Sequence, residues 1–149
     1  MRSFPMTKIR LGLPISILGF AVLSLLTTAG IFAYLLLGAR TVRVDADRVT
    51  VAGPLYSTSV PRAEIDPAGV RVVDLDQAPE LALSRKDNGL GLPGLKEGWF
   101  SLANGQKAFA LLTDTARVVV VPTRTGSWLL LSAADADKLV AQLAPSASP

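Results

Sequence analysis

The amino-acid sequence predicts a mainly β protein with one N-terminal transmembrane helix, in which a small antiparallel β-barrel is closed by a C-terminal amphipathic helix. Residues 11–39 carry no charged side chain, which is typical of a membrane span. Short alternating runs of apolar residues, bounded by Gly, Pro, Asn and Asp, fill residues 41–131 and indicate strands. After residue 132 the apolar spacing becomes helical, which predicts one terminal helix.

The uncharged segment Leu11–Ala39 is long enough to cross a bilayer, since a hydrocarbon core needs about 20 apolar residues. Pro14 lies near its start, where a helix tolerates proline. The alternative is a cleaved signal peptide, with the small-residue stretch Leu37-Gly38-Ala39 as its cleavage site. A signal peptide has an apolar region of about 7–15 residues, and this segment is longer. We therefore expect an uncleaved transmembrane helix over residues 11–39.

The charge distribution indicates a membrane topology and gives no reason to expect nucleic-acid binding. The chain has 15 Lys and Arg residues against 12 Asp and Glu residues. Arg2, Lys8 and Arg10 form a basic flank over residues 1–10, so the chain after the apolar segment is formally neutral. Basic residues also follow the apolar segment, so the positive-inside rule gives nearly balanced counts on its two sides. We expect a cytoplasmic N-terminus and an extracytoplasmic domain.

The residue types that the chain lacks exclude several kinds of chemistry. There is no Cys and no His. Disulfides, thiol nucleophiles, ordinary zinc sites and His-based acid–base catalysis are therefore excluded. We expect no catalytic residues, no cofactor and no bound metal.

The β domain is expected to begin directly after the membrane segment, with two alternating strands joined by the tight turn Asp45-Ala46-Asp47. Ile65, in a short connector, is expected to fill the core. The predicted strands cover residues 41–45, 48–52, 55–60, 69–75, 80–86, 117–121 and 127–131, with a hairpin over residues 99–113.

The hairpin is predicted from Asn104-Gly105, which lies between two apolar runs. This dipeptide is the strongest short signal for a two-residue type I′ turn. Such a turn places Phe100 opposite Phe109 and fixes the register of both strands. The core face of the hairpin is then predicted to contain Phe100, Leu102, Phe109 and Leu111.

The chain is predicted to end in a helix and a tail. Ser132-Ala-Ala-Asp135 has the form of a capping box, which marks the start of a helix. Pro145 stops the helix, and residues 145–149 are expected to be a disordered tail. One apolar stripe follows the capping box at helical spacing and contains Ala136, Leu139, Val140 and Leu143.

Several stretches in the second half of the chain resemble a known family. They are Asn88-Gly-Leu-Gly-Leu-Pro-Gly94, Gly98-Trp-Phe-Ser-Leu-Ala-Asn-Gly105, Thr113-Asp114, Val121-Pro-Thr123 and Leu130-Leu-Ser132. They look like the bacterial PH (pleckstrin-homology) domain family, whose members are often short membrane-anchored proteins. The resemblance implies a PH-like β domain over residues 41–144 and a single-pass protein of the bacterial inner membrane. The family has no established catalytic residues, so the resemblance transfers none.

The sequence departs from the phosphoinositide-binding pattern for which PH folds are best known. That activity places several Lys and Arg residues around the first hairpin. Here the first turn is Asp45-Ala46-Asp47, which would repel a phosphorylated headgroup. Because fold alone does not determine function, the resemblance leaves the ligand open.

The glycine-rich stretch Gly89–Gly98 is predicted to be a loop and is the main candidate for recognition. Its backbone N–H groups could hold an anion, with charge supplied by flanking cations. It lacks the Gly-Lys-Ser/Thr sequence of a P-loop. The alternative is a loop whose glycines serve only to turn the chain. The predicted interaction residues are Arg85, Lys86, Gly89, Gly91, Pro93, Gly94, Lys96 and Trp99.

Two Asp-x-Asp pairs could contribute oxygen ligands to a divalent cation. They are Asp45 with Asp47 and Asp74 with Asp76. Such a cation needs about six oxygen ligands, so a pair alone is insufficient. The alternative, which we favour, is that these Asp side chains form turns at strand ends.

Two further patterns point to a nucleophile and to surface contacts. Ser84 and Lys86 would share one face of a strand, as a Ser–Lys hydrolase requires, but no oxyanion hole or pocket is indicated. Trp99 and Trp128 could contact lipid headgroups or a protein partner, or could pack under loops.

Together these patterns predict a membrane-anchored, non-catalytic PH-like interaction module. Its expected partners are an envelope protein, another copy of itself or lipid headgroups. One alternative is a serine-type hydrolase or ligand-processing domain of the envelope. Another is a structural subunit that assembles through its transmembrane helix.

Overall fold

A computed structural model describes residues 14–144 of the chain. The predicted basic flank at residues 1–10, the first residues of the predicted transmembrane segment and the predicted tail at residues 145–149 lie outside this range.

The first element is a long apolar helix, α1, over Ile15–Leu37. Pro14 precedes it at the N-cap, where a missing N–H costs no hydrogen bond. None of its residues is buried, and its length and composition satisfy the criteria for a membrane span. Its 23 residues extend over roughly 35 Å, somewhat more than a hydrocarbon core. A signal sequence near the N-terminus would satisfy the same criteria.

The rest of the described chain is mainly β, as predicted, with a short helix, α2, over Ala136–Leu143. The strands are β1 (Thr41–Val44), β2 (Arg48–Ala52), β3 (Ser57–Pro61), β4 (Arg71–Val73), β5 (Leu83–Leu92), β6 (Leu95–Leu102), β7 (Lys107–Leu112), β8 (Val118–Val121) and β9 (Ser127–Ser132). Residues 79–81 form a 3-10 turn, so the strand predicted from residue 80 begins only at Leu83.

The strands form two sheets. One sheet has the order β1-β2-β3, and the other has the order β4-β8-β9-β7-β6-β5. Within residues 14–144 no strand pairing joins the two sheets, so the predicted closed barrel is not observed.

The prediction that all strands are antiparallel is wrong at β7 and β9, which pair in parallel. The β8–β9 hairpin folds back so that β9 lies between β8 and β7. Val118–Val121 is buried throughout, and Leu129–Leu131 is buried in β9. Such continuous apolar runs are typical of strands covered on both faces.

The β6–β7 hairpin has a different turn from the one predicted. Its strands pair Trp99 with Phe109 and Phe100 with Ala108, one residue out of the predicted register. The Leu102 N–H donates to the Gln106 carbonyl at 2.8 Å, which closes a three-residue loop. Gly105 has a φ of +85°, and no non-glycine residue in the described chain has a positive φ. The loop is therefore of the type I plus G1-bulge kind.

The change of register reverses which side chains share a face. Phe100 and Leu102 point to one side of the sheet, with Ala108 and Ala110 of β7. Phe109 and Leu111 point to the other side. The predicted common core face of the four large residues is therefore wrong, because a slip of one residue exchanges the two faces of a strand.

The six-stranded sheet consequently has a core on each face. The first core lies between this sheet, the three-stranded sheet and α2, and it includes Val49, Val60, Ile65, Phe109 and Leu139. The second core lies under the 3-10 turns of residues 75–81 and includes Leu75 and Leu81. The predicted placement of Ile65 in the core is confirmed.

Helix α2 presents the predicted apolar stripe to the first core. Ala136, Leu139 and Leu143 are buried, and Val140 is partly buried. The predicted capping box is wrong, because Ser132 lies in β9 and the cap residue, Asp135, makes no side-chain cap hydrogen bond. The Ser132 hydroxyl instead accepts from the N–H groups of Thr113 and Asp114 and holds the β7–β8 loop.

Replacement of Gly105 by Ala is expected to destabilise the domain by about 1–2 kcal/mol, because a Cβ at positive φ meets its own backbone. A Cβ added at this position would have no other neighbour within 4 Å, so the cost is conformational. Thermal or chemical unfolding of the full chain in detergent, followed by tryptophan emission, measures it. Gly105→Asn is the matched control and should lose less, since Asn adopts this conformation more readily. Equal stability of the Ala variant and the parent would contradict the assigned turn.

Candidate functional site

The predicted glycine loop is a regular part of a β-hairpin. Gly89 pairs with Gly98 and Gly91 pairs with Lys96, so the prediction of a loop over residues 89–98 is wrong. The chain reverses only at Pro93-Gly94, where Gly94 has a φ of +72°. Proline followed by a glycine of positive φ is typical of a type II turn. An anion cradle of the predicted kind is not formed, because the stretch is extended and paired.

The β5–β6 hairpin nevertheless brings together all eight predicted interaction residues. β5 is the edge strand of the six-stranded sheet. Its pairing with β6 shifts register twice, between Leu83 and Arg85 and between Lys86 and Asn88. Bulges of this kind twist an edge strand and restrict its pairing with other strands. From Asn88 to Leu92 the register is regular.

Arg85 is held by a small polar network on the exposed part of β5. Its Nε donates to Asp87 Oδ1 at 2.9 Å, and the Ser101 hydroxyl donates to Asp87 Oδ2 at 2.7 Å. These hydrogen bonds, first that from Ser101 and then that from Arg85, lower the pKa of Asp87. The Arg85 charge is thus already paired with a carboxylate, which weakens the prediction that it supplies charge for an anion.

The two predicted lysines differ in their surroundings. Lys86 is exposed on β5 opposite Phe100. Lys96 is partly buried, and its Nζ donates to the Leu92 carbonyl at 3.2 Å across the hairpin turn. Of these two cations, Lys86 is the one that the hairpin presents to solvent.

The two tryptophans pack against the cores. The Trp99 ring meets the Phe109 ring edge-on, with centroids 5.4 Å apart and an interplanar angle of 77°. Trp128 packs against the second core. Both are partly buried, so the alternative in which they pack within the domain describes them better than outward-facing anchors do.

The other predicted candidates occupy turn or backbone-capping positions. Asp74 accepts from the Asp76 N–H at 2.9 Å and begins a 3-10 turn. Within residues 14–144 no group of three or more His, Cys, Asp or Glu side chains could hold a metal ion. The Ser84 hydroxyl donates to the Ser101 carbonyl at 2.9 Å.

The carboxylate of Glu97 in β6 is buried, which the sequence did not predict. The residue is 0% exposed. Its Oε1 accepts from the N–H groups of Leu55 and Tyr56, each at 2.8 Å. A Cβ placed on Gly53 would come within 2.5 Å of Oε1, so glycine at this position makes room for the carboxylate. Glu97 therefore binds the turn between β2 and β3 to the large sheet.

The other oxygen of Glu97 faces a cation that caps the apolar helix. Arg40 Nη2 lies 3.8 Å from Glu97 Oε2, and the Arg40 side chain is only 15% exposed. The Arg40 guanidinium also donates to the carbonyls of Leu35, Leu36 and Gly38. A cation here satisfies orphan carbonyls of α1 and interacts favourably with the negative end of the helix dipole.

Two further contacts hold the same turn against α1. The Tyr34 hydroxyl donates to the Pro54 carbonyl at 3.4 Å. Gly38 lies so close to Pro54 that a Cβ added to Gly38 would overlap the proline ring. We call the set Tyr34, Gly38, Arg40, Pro54 and Glu97 the helix–domain junction.

A weak sequence signal for this junction existed. Glu97 lies two positions from the apolar residues Leu95 and Trp99, so strand alternation places all three side chains on one face of the strand. Arg40 is the first charged residue after the apolar segment. With the stretch around Glu97 predicted to be a loop, neither observation could indicate a buried pair.

Comparison with known proteins gives no match: no protein-family model, no curated protein and no solved structure is significantly similar to this chain.

Replacement of Glu97 by Ala is expected to destabilise the domain by about 3–5 kcal/mol, because it removes the carboxylate partner of the partly buried Arg40 and the acceptor of two turn N–H groups. Glu97→Gln retains an acceptor oxygen and should cost less. Arg40→Ala should also destabilise, and the double variant should lose less than the sum. Unfolding in detergent measures all four.

The matched control is Arg117→Ala. Arg117 lies 2.7 Å from Asp137, closer than the pair in the junction, but both side chains are largely exposed. Its removal should cost less than about 1 kcal/mol. A loss for Glu97→Ala no larger than that for Arg117→Ala would contradict the role of the junction.

The Ser101→Ala variant is expected to raise the pKa of Asp87 towards its ordinary value, because the largest cause of the lowering is removed. Since the folded-state pKa is the lower one, the stabilisation is present above the unfolded-state pKa and is lost as pH falls through the folded-state pKa. Carboxyl NMR titration measures the shift. Ser84→Ala is the control, because Ser84 bonds a backbone carbonyl. An unchanged Asp87 titration in Ser101→Ala would disprove the assignment.

Proposed function

We propose that this chain is a single-pass membrane protein whose β domain is a non-catalytic interaction module held at the bilayer surface. The helix–domain junction is the observation on which the proposal rests. Helix α1 has no buried residue, and its last turn is bonded to the domain through Arg40, Glu97 and Pro54. A domain built onto the end of an apolar helix in this way is suited to a fixed position beside a membrane.

The junction favours a retained anchor over a cleaved signal peptide. Cleavage at the small residues 37–39 would remove the Leu35 and Leu36 carbonyls that Arg40 binds. The partly buried cation and its partner Glu97 would then face an incomplete set of hydrogen bonds, which costs stability. The folded domain therefore gains from keeping the helix.

Attachment to the membrane would favour partners in the same membrane. Only Gly38, Ala39 and Arg40 separate α1 from β1, so the domain would remain close to the bilayer. Confinement of this kind raises the effective concentration of membrane-bound partners without any new contact. We propose an envelope protein, another copy of the chain or lipid headgroups as partners, in a bacterial inner membrane with the domain on the extracytoplasmic side.

The β5 edge is the surface that we propose for recognition. Its exposed side chains include Arg85 and Lys86, and its regular segment Asn88–Leu92 contains two glycines. An edge strand can bind an extended segment of a partner through its main chain, and glycine leaves that main chain accessible. The two bulges would restrict binding to partners that fit the twisted edge.

We retain the PH-like description of residues 41–144 as part of the proposal. It is supported by a domain of short strands followed by one C-terminal amphipathic helix packed on the core. The parallel pairing of β7 with β9 and the separation of the strands into two sheets differ from the antiparallel barrel that this description implied.

In-cell crosslinking from the β5 edge tests the proposal. A photo-crosslinking amino acid at Lys86 or Gly91 is expected to capture a membrane-associated protein or a second copy of this chain. The same amino acid at Ala46, in the exposed turn between β1 and β2, is the matched control and should capture markedly less. Equal capture at the control position, or capture of lipid only, would contradict a protein partner at β5.

The membrane anchor is tested separately on the same cells. The mature chain should retain residues 14–37, so mass spectrometry should give the full-length mass. The protein should also remain in the membrane fraction after alkaline extraction. A mature chain that begins near residue 39 would show that the apolar segment is a signal peptide.

A further inference from the structure

The turn between β2 and β3 combines features that suit the surface of a lipid bilayer. Leu55, at this turn, is 52% exposed. It is the only large apolar side chain outside α1 that is exposed in the described part of the chain. It is also next to Pro54, which contacts the end of α1. A single exposed leucine is common on protein surfaces, so the exposure of Leu55 alone indicates nothing. Its position beside the proposed membrane helix is the informative observation.

The depth of the turn can be read from Tyr34. Side chains on a helix tilt towards its N-terminus, so the Tyr34 hydroxyl lies no nearer to the end of α1 than the Tyr34 backbone does. Tyr34 is three residues, or roughly 4.5 Å, before the last residue of the helix. The Pro54 carbonyl accepts from this hydroxyl, so the turn reaches back alongside the final turn of α1. Tyrosine prefers the headgroup level of a membrane, which places Pro54 and Leu55 at that level.

The backbone of the turn is also prepared for a poorly hydrated environment. The Gly53 N–H donates to the Tyr56 carbonyl at 2.8 Å. Pro54 has no N–H, and those of Leu55 and Tyr56 donate to Glu97 Oε1. Every N–H of residues 53–56 is therefore satisfied within the protein, as a membrane environment requires. The buried carboxylate that provides two of these bonds lies inside the domain and not at the lipid surface.

We propose that residues 53–56 form a second membrane contact of this chain, in which Leu55 enters the lipid–water interface beside α1. The inference rests on the proposed membrane anchor and deepens it, because it defines which face of the domain meets the bilayer. The strand register shows which end of the small sheet faces away from the bilayer. Thr41 closely follows α1 in the chain and pairs with Ala52, which pairs with Ser57. The end of the small sheet that contains these three residues is therefore near α1. The acidic turn Asp45–Asp47 lies at the other end, away from the membrane.

A depth measurement tests the contact in the full-length chain. Because the chain has no Cys, Leu55→Cys introduces a single thiol that can carry an environment-sensitive fluorophore. The labelled protein is placed in phosphatidylcholine–phosphatidylglycerol vesicles and quenched either by lipids with a nitroxide near the headgroup or by aqueous iodide. We expect strong lipid quenching and a several-fold weaker iodide quenching than at Asn104→Cys, in the distant β6–β7 loop.

Three further label positions make the outcome decisive. Labels at Ser57 and Ser59, both exposed on β3, should show iodide quenching that increases with distance from the turn, since alternate residues are about 6.6 Å apart. A label at Leu26, in the middle of α1, reports on the helix. Protection at Leu26 together with iodide quenching at Leu55 equal to that at Asn104 would overturn this inference and leave the anchor intact. Iodide quenching at Leu26 would overturn both the membrane anchor and this inference. A Leu55 label protected from both quenchers would indicate a protein contact there and would also overturn the inference.

Discussion

The contacts of the buried Glu97 carboxylate hold the β domain against the end of α1. One oxygen holds two N–H groups of the β2–β3 turn, and the other faces the guanidinium that caps α1. Removing a carboxylate from water is costly, and here two hydrogen bonds and a nearby cation offset that cost. The pair is not fully satisfied, since Arg40 Nε and Glu97 Oε2 have no hydrogen-bond partner within the described residues.

The two cores of the large sheet explain why so much of the chain is apolar outside α1. A sheet buried on one face shows alternating apolar and polar residues, but β8 and most of β9 are buried on both faces. Helix α2 and the small sheet cover one face, and the 3-10 turns of residues 75–81 cover the other. The short turns at 75–81, which contribute Leu75 and Leu81, thus serve as the second layer on a face that no helix covers.

Local patterns in the sequence determine much of this fold and little of the candidate site. The limits of β2, the burial of Ile65 and the stripe on α2 follow from alternation and helical spacing, and they agree with the structure. The hairpin register does not follow, because Asn-Gly fits both a two-residue turn and a three-residue loop, and these differ by one residue. The parallel pairing of β7 with β9 and the bond from Leu55 to Glu97, 42 residues apart, depend on long-range packing. No local pattern encodes such contacts.

The position of Glu97 also connects the junction to the proposed recognition edge. Glu97 pairs with Leu90 of β5, so the regular segment Asn88–Leu92 lies level with the end of α1. Arg85 pairs with Ser101, four residues further along β6, and therefore lies roughly 13 Å along the strand from the level of Glu97. In the proposed membrane-anchored arrangement, a partner bound along β5 would extend outwards from the bilayer surface. If α1 spans a bilayer as proposed, this edge lies beside the lipid surface, and confinement there favours partners that are in or on the same membrane.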